Sequence, residues 1–203
     1  KVIKEKGINR AIKVIRGKLS PSERAILFKP VGYSNAGFVV AKGRLVKTFN
    51  VGDKVACAGA GIASHTEYTS VPINLAVKVP ENVSTEAAGF TTIGAIAMQG
   101  IRRAEVTFGE TVVITGLGLL GLIAVQIAKA WGLVVIGIDL NPKRLELAEE
   151  LGADYCFNAT DQNLITRIMQ LTHGNGADAV IIYAATKHSG PVNQAFEVCR
   201  KKG

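Results

Sequence analysis

The 203-residue chain is predicted to be of the α/β class, with a partial doubly wound parallel sheet preceded by a small β region. Three observations predict this. From Glu110 onward strand-like and helix-like stretches alternate, which implies a parallel sheet with right-handed crossovers. The strand-like stretches are continuous aliphatic runs, Val112-Val113-Ile114 and Val134-Val135-Ile136, as strands covered on both faces should be. Between Gly32 and Pro80 the pattern is different: short β-branched runs separated by turn residues.

With 48% hydrophobic and 20% charged residues, the chain reads as a soluble globular protein able to bury a core. No apolar run reaches the ~18 residues of a membrane span, so no membrane role is expected. The start, Lys1-Val2-Ile3-Lys4-Glu5-Lys6, has no initiating Met and no signal-peptide core, and it reads as the middle of a longer chain. Cys57, Cys156 and Cys199 are odd in number and widely spaced, which points to reduced thiols and a cytoplasmic location. The formal charge of +8 sits almost entirely in residues 1–30, where nine Lys or Arg accompany only Glu5 and Glu23. Val2, Ile3, Ile8, Ala11, Ile12, Ile15 and Leu19 recur there at roughly helical spacing, so a solvated amphipathic helix accounts for the charge. No aromatic residue precedes Phe28, so nucleic acid is not expected as a partner.

The order of elements follows from periodicity and breakers. Residues 1–30 form the basic helical segment, divided by Gly17 and the Ser20-Pro21-Ser22-Glu23 cluster. Residues 31–86 form a partial β domain with strands at Gly37 to Ala41, Lys54 to Ala58, Tyr68 to Val71 and Leu75 to Val79. Gly43, Asn50-Val51-Gly52-Asp53, Gly59 to Gly61 and Pro72 supply its reversals. Residues 87–203 begin helically after the N-cap signal Ser84-Thr85-Glu86. They continue as Thr111 to Thr115 (strand), Leu119 to Trp131 (helix), Val134 to Asp139 (strand), Pro142 to Leu151 (helix), Asp154 to Asn158 (strand), Gln162 to Thr172 (helix), Ala179 to Ala184 (strand) and Gly190 to Arg200 (helix). Arg200-Lys201-Lys202-Gly203 reads as a turn into a further strand, so the domain is expected to be incomplete at its C-terminus.

Gly116-Leu117-Gly118-Leu119-Leu120-Gly121 follows one strand directly and opens a helix. Gly116 allows the tight turn, Gly118 lets the backbone approach a pyrophosphate, and Gly121 lets the helix pack close to the strand. The helix N-terminus then offers unpaired N–H groups to the phosphates. Asp139 ends the next strand, where an acid accepts hydrogen bonds from the adenosine ribose hydroxyls and repels a 2′-phosphate. Leu140 and Asn141 follow it, in place of the Arg or Ser of an NADP site, so NAD is expected over NADP. The bland alternative is that Asp139 only caps the helix beginning at Pro142. Arg144 reads equally as a flank of the adenosine and as an exposed helix charge.

Gly52-Asp53-Lys54-Val55, Thr66-Glu67-Tyr68, Val79-Pro80, Glu86-Ala87-Ala88, Gly109 to Ile114 and the glycine loop together resemble the medium-chain dehydrogenase/reductase superfamily over about residues 30 to 203. The resemblance implies a partial GroES-like β domain followed by a Rossmann-type coenzyme domain, with a nicotinamide cofactor between them. It also implies that Thr92 lies beside the nicotinamide and that Ala184, Ala185 and Thr186 form part of the cofactor wall. The zinc-dependent alcohol dehydrogenases carry Gly-His-Glu where this chain has Gly32-Tyr33-Ser34. Their further ligand Cys would fall near Ala88, and of their four-Cys loop only Cys57 is found. His65, His173 and His188 have no ligand spacing to compensate, so no metal site and no zinc are expected.

Hydride chemistry without zinc must polarise a carbonyl by a hydroxyl, an amide or an imidazole. His65, Tyr33 and Thr91, with Tyr68, are the candidates, none distinguished by spacing. Pro30 to Gly37, Gly89 to Gly100 and Ile101-Arg102 are similar to two-part oxidoreductases in which a zinc-free medium-chain domain is fused to a domain of the glucose-fructose oxidoreductase type. The expected function is therefore an NAD(H)-dependent, zinc-independent oxidoreductase of an alcohol or carbonyl, a sugar among them, or the cofactor-binding fragment of one. The alternative is a non-catalytic dinucleotide-binding module serving a partner domain. A small-molecule substrate is the expected partner, and the incomplete sheet leaves an edge through which copies could associate.

Overall fold

The computed structural model describes residues 31–201. The basic segment 1–30, and with it the expected amphipathic helix, lies outside the described residues. Two compact units divide between Thr91 and Thr92.

The first unit is built on an antiparallel sheet of β1 (Ser34–Phe38), β2 (Lys54–Ala58) and β3 (Ala76–Lys78), in that order. Ala36 faces Ala56, and Cys57 faces Ala76. Alternation along β2 sends Val55 and Cys57 into a small core with Phe49 and Ala63. The turn before β2 closes on itself: Asn50 N–H donates to the Asp53 carboxylate at 2.7 Å. Lys78, then that N–H, hold the Asp53 carboxyl below the ordinary range. After β3, Ser84 caps the short helix α1 (Thr85–Ala88), its Oγ accepting from Ala87 N at 3.1 Å.

Two expectations need correction here. The first strand runs from Ser34 to Phe38 rather than from Gly37 to Ala41. Its backbone bonding continues only as far as Val39, which pairs with Gly52 and Asp53. Tyr68 to Val71 is not a strand. Side-chain hydroxyls claim that stretch: Thr66 Oγ1 donates to the Tyr68 carbonyl and Thr69 Oγ1 to the Ile62 carbonyl. Pro72, which has no N–H, then opens a 3-10 turn at Ile73–Leu75.

The helix α2 (Thr91–Arg103), all but its first residue in the second unit, is followed by β4 (Thr111–Thr115), α3 (Leu119–Ala130), β5 (Val134–Asp139), α4 (Pro142–Glu150), β6 (Tyr155–Asn158), α5 (Leu164–Leu171), β7 (Ala179–Ile182) and α6 (Gly190–Val198). The four strands of this unit are parallel in the order β6-β5-β4-β7. The chain winds one way from β4 through β5 to β6, then crosses back to β7, so the order reverses beside β4.

The aliphatic runs dictate this layering, because successive residues of a strand face opposite sides. Val112, Ile114 and Val135 join Ala97, Ile101, Ala124, Ala128 and Ala148 on the face covered by α2, α3 and α4. Val113, Ile136 and Ile138 join Leu164, Ile168 and Val198 under α5 and α6. Val112, Val113 and Ile114 are fully buried, each contributing about 1.5–3 kcal/mol. On α3, Gly121, Ala124 and Ala128 are buried, and their small size lets the helix approach the sheet closely.

Element ends differ from the periodicity by one or two residues for local reasons. β7 stops at Ile182 because its partner β4 ends at Thr115, whose carbonyl takes the Tyr183 N–H at 2.8 Å. α6 stops at Val198 because Cys199 is extended and pairs in parallel with Ala177. Arg200 then meets Asp178 at 2.9 Å and Glu110 at 3.6 Å, while Asp178 also accepts from Thr111 N at 2.8 Å. Among the described residues, no helix is long and apolar enough to cross a membrane.

Cys156, half-buried on β6, carries a pH prediction. Burial, then the Glu149 charge, push its thiol up to about 11 from 9.0. The unfolded thiol therefore loses its proton first as pH rises, so this contribution is full below about 9 and falls away up to about 11. Raising the pH from about 8.5 to about 10.5 should lower the melting temperature of the wild type more than that of Cys156→Ala. Parallel thermal melts check this, and equal losses would contradict it.

Candidate functional site

The site begins where β4 ends. Gly116 turns the chain at φ +92, a conformation that strains any other residue. An added Cβ at Gly116 would also lie 2.5 Å from the Ala184 nitrogen. Gly121, in the first turn of α3, packs so closely on the Gly116 carbonyl oxygen that a Cβ would collide with it. Gly118 is unlike both. It has an ordinary extended conformation with φ −72 and ψ −166, and an added Cβ would meet nothing within 4 Å. The fold itself explains two of the three glycines. The third leaves bare backbone at the N-cap of α3, where no side chain caps the helix and the macrodipole favours an anion.

Asp139 closes the site from the end of β5. Its side chain is buried, at 8% exposure, which a carboxylate tolerates only when paired. Leu117 N–H donates to Oδ2 at 2.7 Å and Asn141 N–H to Oδ1 at 2.8 Å. The Arg144 guanidinium stands 3.6 Å from Oδ2. The cap of α4 is a different residue, Asn141, whose Oδ1 accepts from Lys143 N at 3.0 Å. Asp139 therefore does not serve as that cap. The Asn141 side chain is committed to the helix.

The other expected site residues fall into place unevenly. The Leu117 side chain is fully buried in the core, so only its backbone faces the loop; Leu119 is exposed and Leu120 half-buried. Ala184 presses on Gly116, as above, while Ala185 and Thr186 are exposed and Thr186 Oγ1 accepts from His188 N at 3.1 Å. Thr92 lies in the first turn of α2. Sequence reasoning missed Asn158, which faces Asp139 across β5 and β6 and donates from Nδ2 to the Leu140 carbonyl at 3.2 Å. Its position at a strand's carboxyl end was the available signal.

Tyr33 and His65 both lie in the first unit. The His65 ring lies over Gly32 so closely that a Cβ there would collide with it. His65 N–H donates to Val31 O at 2.7 Å, and Tyr33 O accepts from Gly59 N at 3.0 Å. Thr91 Oγ1 donates to Ala88 O at 2.7 Å, and Tyr68 is exposed. Among the described residues, no group of three or more His, Cys, Asp or Glu is arranged to hold a metal ion.

A parallel sheet with a glycine turn, a helix N-terminus that no side chain caps and a buried acid at the next strand's end is the arrangement a dinucleotide site calls for. The family model described as zinc-binding dehydrogenase matches residues 120–203. An NAD-dependent alcohol dehydrogenase of Sulfurisphaera tokodaii is 39% identical over 121 residues, 58% of this chain and 35% of that protein. A D-guloside 3-dehydrogenase of Shigella flexneri is 36% identical over 153 residues, 74% of this chain and 43% of that protein. The crystal structure of a quinone oxidoreductase from Pseudomonas syringae pv. Tomato DC3000 superposes with a TM-score of 0.75 at 28% identity, over 85% of this chain and 53% of that one. These matches together support a place for the chain in the medium-chain dehydrogenase/reductase superfamily. It spans less than half the length of the curated relatives it matches.

The glycines separate folding from binding in a testable way. Gly121→Ala should destabilise the fold by about 3 kcal/mol, the scale of core overpacking. Gly118→Val should cost no more than about 1 kcal/mol, the difference between Gly and Val at an N-cap. Denaturant melts of the two variants check the order, and equal losses would contradict it.

Proposed function

We propose that this chain holds NAD(H), in preference to NADP(H), and is the cofactor-binding part of a zinc-independent oxidoreductase acting on an alcohol or carbonyl, with sugars among its substrates. The observation that carries the reading is the Asp139 carboxylate, buried and hydrogen-bonded to Leu117 N and Asn141 N at the mouth of the glycine loop. The names of the relatives support the oxidoreductase class and do not favour a purely structural module.

The residues present suit such a cofactor. When bound, NAD supplies hydride transfer to or from the substrate carbon. Each oxygen of an ionised carboxylate has two acceptor positions, and Leu117 and Asn141 take one on each. One position on each oxygen is left for a ribose hydroxyl. A 2′-phosphate would face the same negative charge, offset only in part by the half-exposed Arg144. Gly118 and the first turn of α3 present N–H groups to the pyrophosphate. In the first unit His65, Tyr33 and Thr91 remain the candidates to polarise a substrate oxygen or carry its proton. The zinc-free reading is supported by Gly32-Tyr33-Ser34 standing where zinc-dependent relatives have ligands.

Calorimetric titration of NADH and NADPH into the chain tests the proposal. NADH should bind saturably, and NADPH at least about tenfold more weakly, as one lost charge-assisted hydrogen bond of roughly 1.5–3 kcal/mol implies. Gly118→Val should abolish binding, and Asp139→Ala should weaken NADH and narrow its advantage over NADPH. No NADH binding to a folded wild-type chain would sink the proposal, and a preference for NADPH would overturn its choice of cofactor.

A further inference from the structure

We propose that Tyr183 is a positioning residue for the half of the dinucleotide remote from adenosine, acting through α2; this rests on the cofactor reading above. Tyr183 directly follows β7. Its N–H donates to Thr115 O at 2.8 Å, holding it in register with the last residue of β4. Its phenol O–H donates to Ala97 O at 2.7 Å, in the middle of α2. The ring packs on the apolar layer shared by α2 and α3. Gly100, three residues beyond Ala97, leaves the room that the hydroxyl fills, since an added Cβ there would collide with the phenol oxygen. A mid-helix carbonyl already accepts from its own helix, so α2 does not need this bond in order to be a helix. What the bond fixes is where α2 stands against the end of β7.

The next residue links that contact to the loop. Ala184 is packed so closely on Gly116 that an added Cβ would lie 2.5 Å from its nitrogen. Two consecutive residues are thus keyed to different parts, Tyr183 to α2 and Ala184 to the first turn of the glycine loop. Dinucleotides lie across the carboxyl ends of strands at the point where strand order reverses, which here is between β4 and β7. Asp139 ends β5, on one flank of β4, and takes the adenosine side. The other half of the ligand then runs toward β7, the flank bordered by Tyr183 and α2. A displaced α2 alters the seat of that half and leaves the Asp139 side as it was. Burial raises the Tyr183 phenol above its ordinary value, so the hydroxyl remains a donor through the neutral range.

The test titrates NADH, and separately ADP-ribose, which lacks the nicotinamide, into the wild-type chain, Tyr183→Phe and Gly100→Ala. In Tyr183→Phe the NADH dissociation constant should rise about tenfold while that of ADP-ribose changes by less than about twofold. Gly100→Ala, which displaces the hydroxyl from the other side, should show the same split; if it does not fold, Tyr183→Phe decides alone. Unchanged ADP-ribose binding doubles as the control that each variant is folded. Equal weakening of both ligands, or no change in either, overturns the positioning role. Failure of the wild type to bind NADH overturns the cofactor reading itself, and the proposal with it.

Discussion

The Asp139 carboxylate ties together the parts on which the coenzyme unit depends. It sits at the end of β5, buried, and accepts from Leu117 in the loop after β4 and from Asn141 at the start of α4. A buried carboxylate left without partners is strongly disfavoured, so the loop has to close on it. That closure requires Gly116 to turn with positive φ and Gly121 to lie against the Gly116 carbonyl. The position of α3, and the direction of its N-terminus, follow. One acid thus orders two crossovers and leaves its remaining lone pairs at the carboxyl edge of the sheet.

The coenzyme unit was legible in the sequence because each of its signals comes from short-range chemistry. Val112 to Ile114 and Val134 to Ile136 are unbroken aliphatic runs that only a doubly covered strand can bury. Gly116, Gly118 and Gly121 lie between a strand and a helix, and Pro142 follows an Asn cap. The β unit was less legible. Its strands are short and its alternation weak, and at Tyr68 to Val71 the hydroxyls of Thr66 and Thr69 take backbone carbonyls that a strand would pair. Propensity cannot show that competition, since the partner carbonyl of Ile62 is seven residues away.

Within the site, the sequence pointed to Asp139 but could not distinguish a ribose acceptor from a helix cap. The geometry removes the cap reading, because Asn141 makes that cap. Tyr183 and Asn158 went unnoticed for a related reason. Their contacts depend on which strand ends are neighbours, and that is a property of the order β6-β5-β4-β7 rather than of any local motif. The candidates for proton transfer and carbonyl polarisation, His65, Tyr33 and Thr91, belong to the other compact unit. The proposed cofactor residues and these candidates therefore lie in different units of the chain.

The most direct test of the central claim is the response of individual backbone amides in a nitrogen-15-labelled chain as NADH is added. The account predicts that Leu117, Gly118, Leu119 and Asn141 shift together and saturably, because they surround the Asp139 carboxylate and the N-cap of α3. Shifts confined to other regions, or none at these four amides while NADH binds, would contradict it.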